Sequence, residues 1–170
     1  MSSEGLPANY EWFSDQIAGH HPSVIKNGKR EIGLLKCPGT QEVLKLKQNA
    51  SRGEKEVALY ETLKLAKNGQ AIASSSTEFR TSRREDVLAL SQLTATYYGL
   101  KTLQVDGETH EFLVLDDVTA PYSLPAILDL KMGKVTSDPL ATPEKRNKEA
   151  VKWPPQAKLG LRILGYHVRF

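Results

Sequence analysis

The chain has 170 residues, 39% hydrophobic and 25% charged, enough for one globular domain or two small lobes. Its formal charge of +3 does not by itself call for nucleic acid, and the lone Cys37 excludes a disulfide framework or a cysteine cluster for zinc. No run of 18 apolar residues offers a membrane span and the N-terminus lacks a signal peptide's apolar core, so the expectation is a soluble intracellular chain, cytoplasmic, nuclear or both.

Residues 1–30 are polar, with little periodicity apart from Trp12-Phe13 and Ile17, and read as an N-terminal extension. Ile32–Cys37 and Glu42–Lys47 are predicted strands joined by the turn Pro38-Gly39-Thr40, a hairpin. In the second strand Leu44 and Leu46 face one side, and Val43, Lys45 and Lys47 the other. A helical pattern begins after Ser51-Arg52-Gly53 and runs to Ala66, ending before Asn68-Gly69. Glu56, Leu59, Tyr60 and Leu63 fall at i, i+3, i+4 and i+7, which sets Glu56 on the inward stripe. Gly69–Ser82 is Ser/Thr-rich and reads as a mobile loop, and Arg84–Leu93 as a short helix. Phe112–Leu115 is a short apolar strand ending at Asp116-Asp117, after which a turn through Pro121 leads to Pro125–Gly133. Thr142-Pro143 starts a helix, with Thr as N-cap and Pro at the first helical position, that ends by Pro154-Pro155. Leu159–Phe170 is strand-like.

Four features bear on chemistry. A strand lysine paired with an inward helix glutamate is how kinase-like folds hold a nucleotide phosphate, and Lys45 with Glu56 fits; on residue type alone Lys47 serves as well. Leu115–Thr119 follows an apolar strand at the place where a two-lobed kinase would put its hinge, whose exposed backbone groups can read an adenine edge; an ordinary strand exit explains its aspartates too. In Pro125–Gly133, Ala126, Leu128, Leu130 and Met132 face one way and Asp129 and Lys131 the other. A charged pair in a largely buried strand needs a ligand or partners, and a structural ion pair is the commoner explanation. Finally, Lys145, Lys148 and Lys152 share one helix face at i, i+3 and i+7, which suits a bound anion or a solvated face relieved by Glu149. From Lys131 onward nine Lys/Arg stand against three Asp/Glu, but no nucleic-acid motif accompanies them.

The run Pro125-x-x-x-Asp129-x-Lys131-x-Gly133 resembles the signature of the inositol polyphosphate kinase family. Val43-Leu44-Lys45, Arg52-Gly53, Glu56 and Tyr60 resemble the multikinase branch in order and spacing, as do Asp138-Pro139, Glu144-Lys145 and Lys152; that match favours Lys45 over Lys47. The resemblance runs from about Asp15 to Phe170, outside the Gly69–Ser82 loop. It departs at Asp116, where the family usually has Glu, and at Asn147, Lys148 and Glu149, which replace expected glutamines.

What the resemblance implies is an α+β, two-lobed kinase-like fold. A small nucleotide-binding lobe of antiparallel strands plus a helix spans 31–117, and an incomplete large lobe starts at 118 and runs to 170. It implies an ATP-dependent inositol polyphosphate kinase, with Lys45, Glu56, Asp116, Val118 and Asp129 at the nucleotide. Asp129 and Lys131 stand at the transferred phosphoryl group, and Arg52, Lys131, Lys145, Lys148 and Lys152 at the inositol phosphate. Family members continue into an Ile-Asp-Phe element whose aspartate binds Mg2+, and the chain has no such Asp-Phe pair. The alternative is a non-catalytic truncated isoform or pseudokinase that binds nucleotide, inositol phosphate or a protein partner.

Overall fold

The computed structural model describes residues 5–26, 28–70, 84–137 and 141–169. The chain divides into two compact units, Met1–Ser14 with His20–Pro121, and Asp15–Gly19 with Tyr122–Phe170.

The first unit is built on a five-stranded antiparallel sheet in the order β1-β4-β5-β7-β6: β1 Glu11–Trp12, β4 Leu35–Lys36, β5 Glu42–Leu46, β6 Tyr97–Val105 and β7 Glu108–Asp116. A separate pair, β2 Ile25–Lys26 and β3 Lys29–Arg30, lies in the same unit. Strand alternation sends β5 and β7 side chains into two apolar clusters. Trp12, Leu35, Leu44, Phe112 and Val114 fill one face, and Val43, Tyr97, Leu113 and Leu115 the other. Helix α1, Ser51–Lys67, adds Val57 and Tyr60 to the second cluster. Its first turn needs Gly53, because a Cβ there would lie 1.9 Å from the Gln48 carbonyl oxygen. Leu63 and Ala66 pack with Val87 of α2, Arg84–Gln92.

Three expectations change here. Residues 5–14 are no appendage: β1 pairs with β4, and Trp12 is buried in the core. The Pro38–Thr40 hairpin forms, but its first strand shrinks to Leu35–Lys36. The strand expected at Phe112–Leu115 belongs to the nine-residue strand β7, one arm of a hairpin with the equally long β6, a strand with no counterpart among the sequence-based expectations. The Gly69–Ser82 loop falls almost wholly on residues outside those described.

The second unit pairs β8, Ile127–Met132, with β9, Leu161–His167, antiparallel, with α3, Pro143–Val151, and α4, Gln156–Leu159, between them in sequence. Thr142 caps α3 as expected, its hydroxyl accepting from the Lys145 N–H at 3.3 Å. Gln156 is buried and donates through Nε2 to the Gly133 carbonyl at 2.9 Å and to Thr136 Oγ1 at 3.0 Å. The Asp15–Gly19 segment lies against β9: a Cβ on Gly165 would sit 2.9 Å from the Ile17 carbonyl oxygen, and Arg169 pairs with Asp15. On β8 the faces reverse the expected burial. Leu128, Leu130 and Met132 are exposed, and Asp129 and Lys131 are half-buried.

Candidate functional site

In the first unit, Lys45 leaves β5 on the face covered by α1, where Nζ donates to Glu56 Oε1. Lys47 turns to Glu54 at 2.8 Å and Glu111 at 2.9 Å. The structure therefore separates two lysines that residue type alone could not. Tyr60, one turn beyond Glu56, has its hydroxyl pKa raised by burial and by the Glu56 charge. Arg52 stands exposed in the first turn of α1.

At the end of β7 the backbone is partly committed. The Asp116 N–H donates to the Thr96 carbonyl at 2.9 Å and the Asp117 N–H to that of Gln41 at 2.7 Å. The Val118 N–H has no acceptor among the described residues, and its side chain is exposed. Asp117 is buried and accepts from Lys36 Nζ, from the Thr119 N–H at 3.0 Å and from Thr119 Oγ1 at 2.5 Å. Burial pushes the Asp117 carboxyl up, but those hydrogen bonds outweigh it and hold the pKa below the ordinary value. The sequence reading missed this Lys36–Asp117 pair, which orders the turn after β7.

In the second unit, Asp129 and Lys131 do not neutralise each other. Asp129 makes no ion pair among the described residues, whereas Lys131 Nζ lies 3.7 Å from Glu149 Oε2. Glu149 gathers three cations: Lys152 Nζ donates to Oε1 at 2.5 Å, and Arg162 Nη2 is 3.6 Å from Oε2. The Lys152 hydrogen bond is the largest of the effects that hold the Glu149 carboxyl below its usual pKa, against the opposing pull of desolvation. Lys145 and Lys148 are exposed on α3 and form no ion pair among the described residues. Asp138-Pro139 lies outside the described residues. Sequence spacing gave no hint of Arg162, because only the β8–β9 register brings it opposite Lys131.

Among the described residues no three His, Cys, Asp or Glu side chains gather into a possible metal site.

Comparison with known proteins bears most directly on the last third of the chain. Residues 112–169 match the sequence model of the inositol polyphosphate kinase family. The matched stretch runs from within β7 through β9, so it holds Asp116, Val118, Asp129, Lys131, the α3 lysines Lys145 and Lys148, and Lys152 at the helix C-cap. The chain is also 31% identical to the inositol polyphosphate multikinases of Rattus norvegicus and Mus musculus, over 157 residues in each case, 92% of this chain and 34% of theirs. Against the Homo sapiens inositol polyphosphate multikinase the identity is 31% over 160 residues, 92% of this chain and 33% of that one. The chain thus spans about a third of the length of the curated relatives it matches. Its helices and antiparallel sheets agree with the α+β kinase-like fold of the inositol polyphosphate kinase family.

Proposed function

We propose that this chain carries phosphotransferase machinery that moves the γ-phosphoryl group of ATP to a hydroxyl of an inositol polyphosphate, in the cytoplasm or nucleus. The observation that carries this reading is the family match over 112–169, which contains the half-buried Asp129–Lys131 face and the basic helix α3. Phosphoryl transfer asks a protein mainly for positioning and charge neutralisation. In this reading Lys45, oriented by Glu56, takes a nucleotide phosphate. The free Val118 N–H and the neighbouring Asp116 backbone meet the adenine. Asp129 serves the nucleotide, and Lys131 neutralises charge on the transferred group. Arg52 and the α3 lysines hold the inositol phosphates. Magnesium is the expected second cofactor and enters none of these roles.

The test is transfer of labelled γ-phosphate from ATP to inositol tris- and tetrakisphosphates, with Lys131→Ala beside the wild type. Labelled inositol phosphate from the wild type, lost in the variant, supports the proposal. Binding of both ligands without any transfer would leave a holding protein in place of a kinase. A chain that binds neither overturns the reading.

A further inference from the structure

Lys131 and Arg162 are direct partners across β8 and β9, so two cations stand opposite each other on one sheet face. Like charges so placed destabilise a sheet unless an anion lies between them. Here that anion is Glu149, reaching over from α3, with Lys152 closing the group from the helix end. Three cations against one carboxylate leave a local excess of two positive charges. The fit is also incomplete. Glu149 Oε2 and Arg162 Nη1 are buried with no hydrogen-bond partner, and the Arg162 side chain is only 12% exposed. Distances of 3.6 and 3.7 Å to Oε2 give electrostatic attraction without hydrogen bonds. A guanidinium held this way keeps donors that a tetrahedral, multiply charged group would satisfy better than one carboxylate. Beside Glu149 opens a groove of about 180 Å³, with Arg146 and Lys134 on its walls, which admits an anion and gives the carboxylate somewhere to move.

We propose that Arg162 is an anion ligand and that Glu149 is its internal stand-in: the Lys131–Lys152–Arg162 cluster is a phosphate subsite closed by the protein's own carboxylate. The inference rests on reading this unit as the inositol-phosphate-binding part, and adds its selectivity. A weakly charged anion gains too little to displace Glu149, whereas a polyphosphate brings enough charge to do so. Glu149 thereby sets a threshold of ligand charge.

The experiment is calorimetry on the whole chain at low salt, with inorganic tripolyphosphate and inositol hexakisphosphate as probes. Glu149→Gln keeps the size of the side chain and removes its charge. It should bind tripolyphosphate at least tenfold more tightly than the wild type, and adding Arg162→Gln should remove most of that gain. Equal or weaker binding by Glu149→Gln overturns the proposal, and so does a gain that survives the loss of Arg162. If Glu149→Gln does not fold alone, millimolar tripolyphosphate should restore its thermal transition. Failure to do so makes Glu149 a structural ion partner and overturns the stand-in role. Equal gains for the two probes, with no phosphate transfer to any inositol phosphate, would leave the stand-in role intact and remove the inositol reading.

Discussion

Lys36 on β4 and Asp117, just beyond β7, form an ion pair whose carboxylate is buried, with Thr119 donating to the same carboxylate from the other side. Breaking a buried pair from one side leaves a charge uncompensated, so Asp117→Asn should cost about 2–3 kcal/mol in urea unfolding. The pH dependence has a definite sign. Asp117 has a folded pKa below its ordinary value of 3.8, so the pair's stabilisation is fully present above that value. It is lost as the pH falls through the lowered folded pKa. The wild type should lose stability across that window faster than Asp117→Asn, and identical acid limbs would disprove the assignment.

The Lys45–Glu56 pair and the Lys47–Glu54–Glu111 group predict opposite outcomes for two similar substitutions. Lys45→Ala should weaken ATP binding at least tenfold, because it removes the helix-anchored cation. Lys47→Ala should change it by less than about threefold, since its partners are exposed surface carboxylates. Glu56→Gln should fall between them. Calorimetry of the three variants decides, and equal losses at both lysines would refute the choice of Lys45.

How much of this was legible in the sequence follows from the range of each interaction. Helix α3 was readable because its cap is local: Thr142, Pro143 and the Lys145 N–H lie within four residues. Helix α1 declared itself by its apolar stripe. Choosing Lys45 over Lys47 depended on where α1 lands on the sheet, which no local pattern encodes, and the family resemblance made the choice instead. Strand β6 was overlooked because it is an edge strand with mostly half-solvated faces, which blurs its alternation. The Asp106-Gly107 turn was the available signal. Arg162 gave no signal, and Glu149 was legible only as the charge that relieves the lysines of its own helix, since the two meet only through the β8–β9 register and the return of α3.

That turn makes its own prediction. Asp106 and Gly107 have φ of 52° and 79°, the left-handed pair that a two-residue hairpin turn demands. A Cβ on Gly107 would meet nothing within 4 Å, so strain, not crowding, is the cost of replacing it. Gly107→Val should therefore destabilise the β6–β7 hairpin by about 1–2 kcal/mol. Thermal unfolding should show a matching drop, and Gly107→Asn should recover much of it, because Asn tolerates this conformation. A Val variant as stable as the wild type would mean the turn is adaptable.

Lys148 on α3 and Lys152 at its C-cap lie four residues apart, yet their surroundings differ. Lys148 is exposed and without an ion pair among the described residues, whereas Lys152 hydrogen-bonds Glu149 at 2.5 Å and so belongs to the group around Lys131 and Arg162. Reversing the charge at Lys148 removes one solvated cation from the approach to a polyanion. Such contacts are individually weak and strongly screened. Reversing it at Lys152 does more, since a second carboxylate then stands beside Glu149 and competes for Lys131 and Arg162. Lys152→Glu should accordingly weaken inositol polyphosphate binding at least tenfold at low salt, against about threefold for Lys148→Glu. The double variant should bind negligibly while keeping its fold and any affinity for ATP. Titrations at 50 and 300 mM salt check the ordering, because the Lys148 effect should vanish at the higher salt and the Lys152 effect persist in part. Equal and small losses at low salt would mean that α3 is a solvated face and that the phosphate-binding chemistry lies elsewhere in the chain.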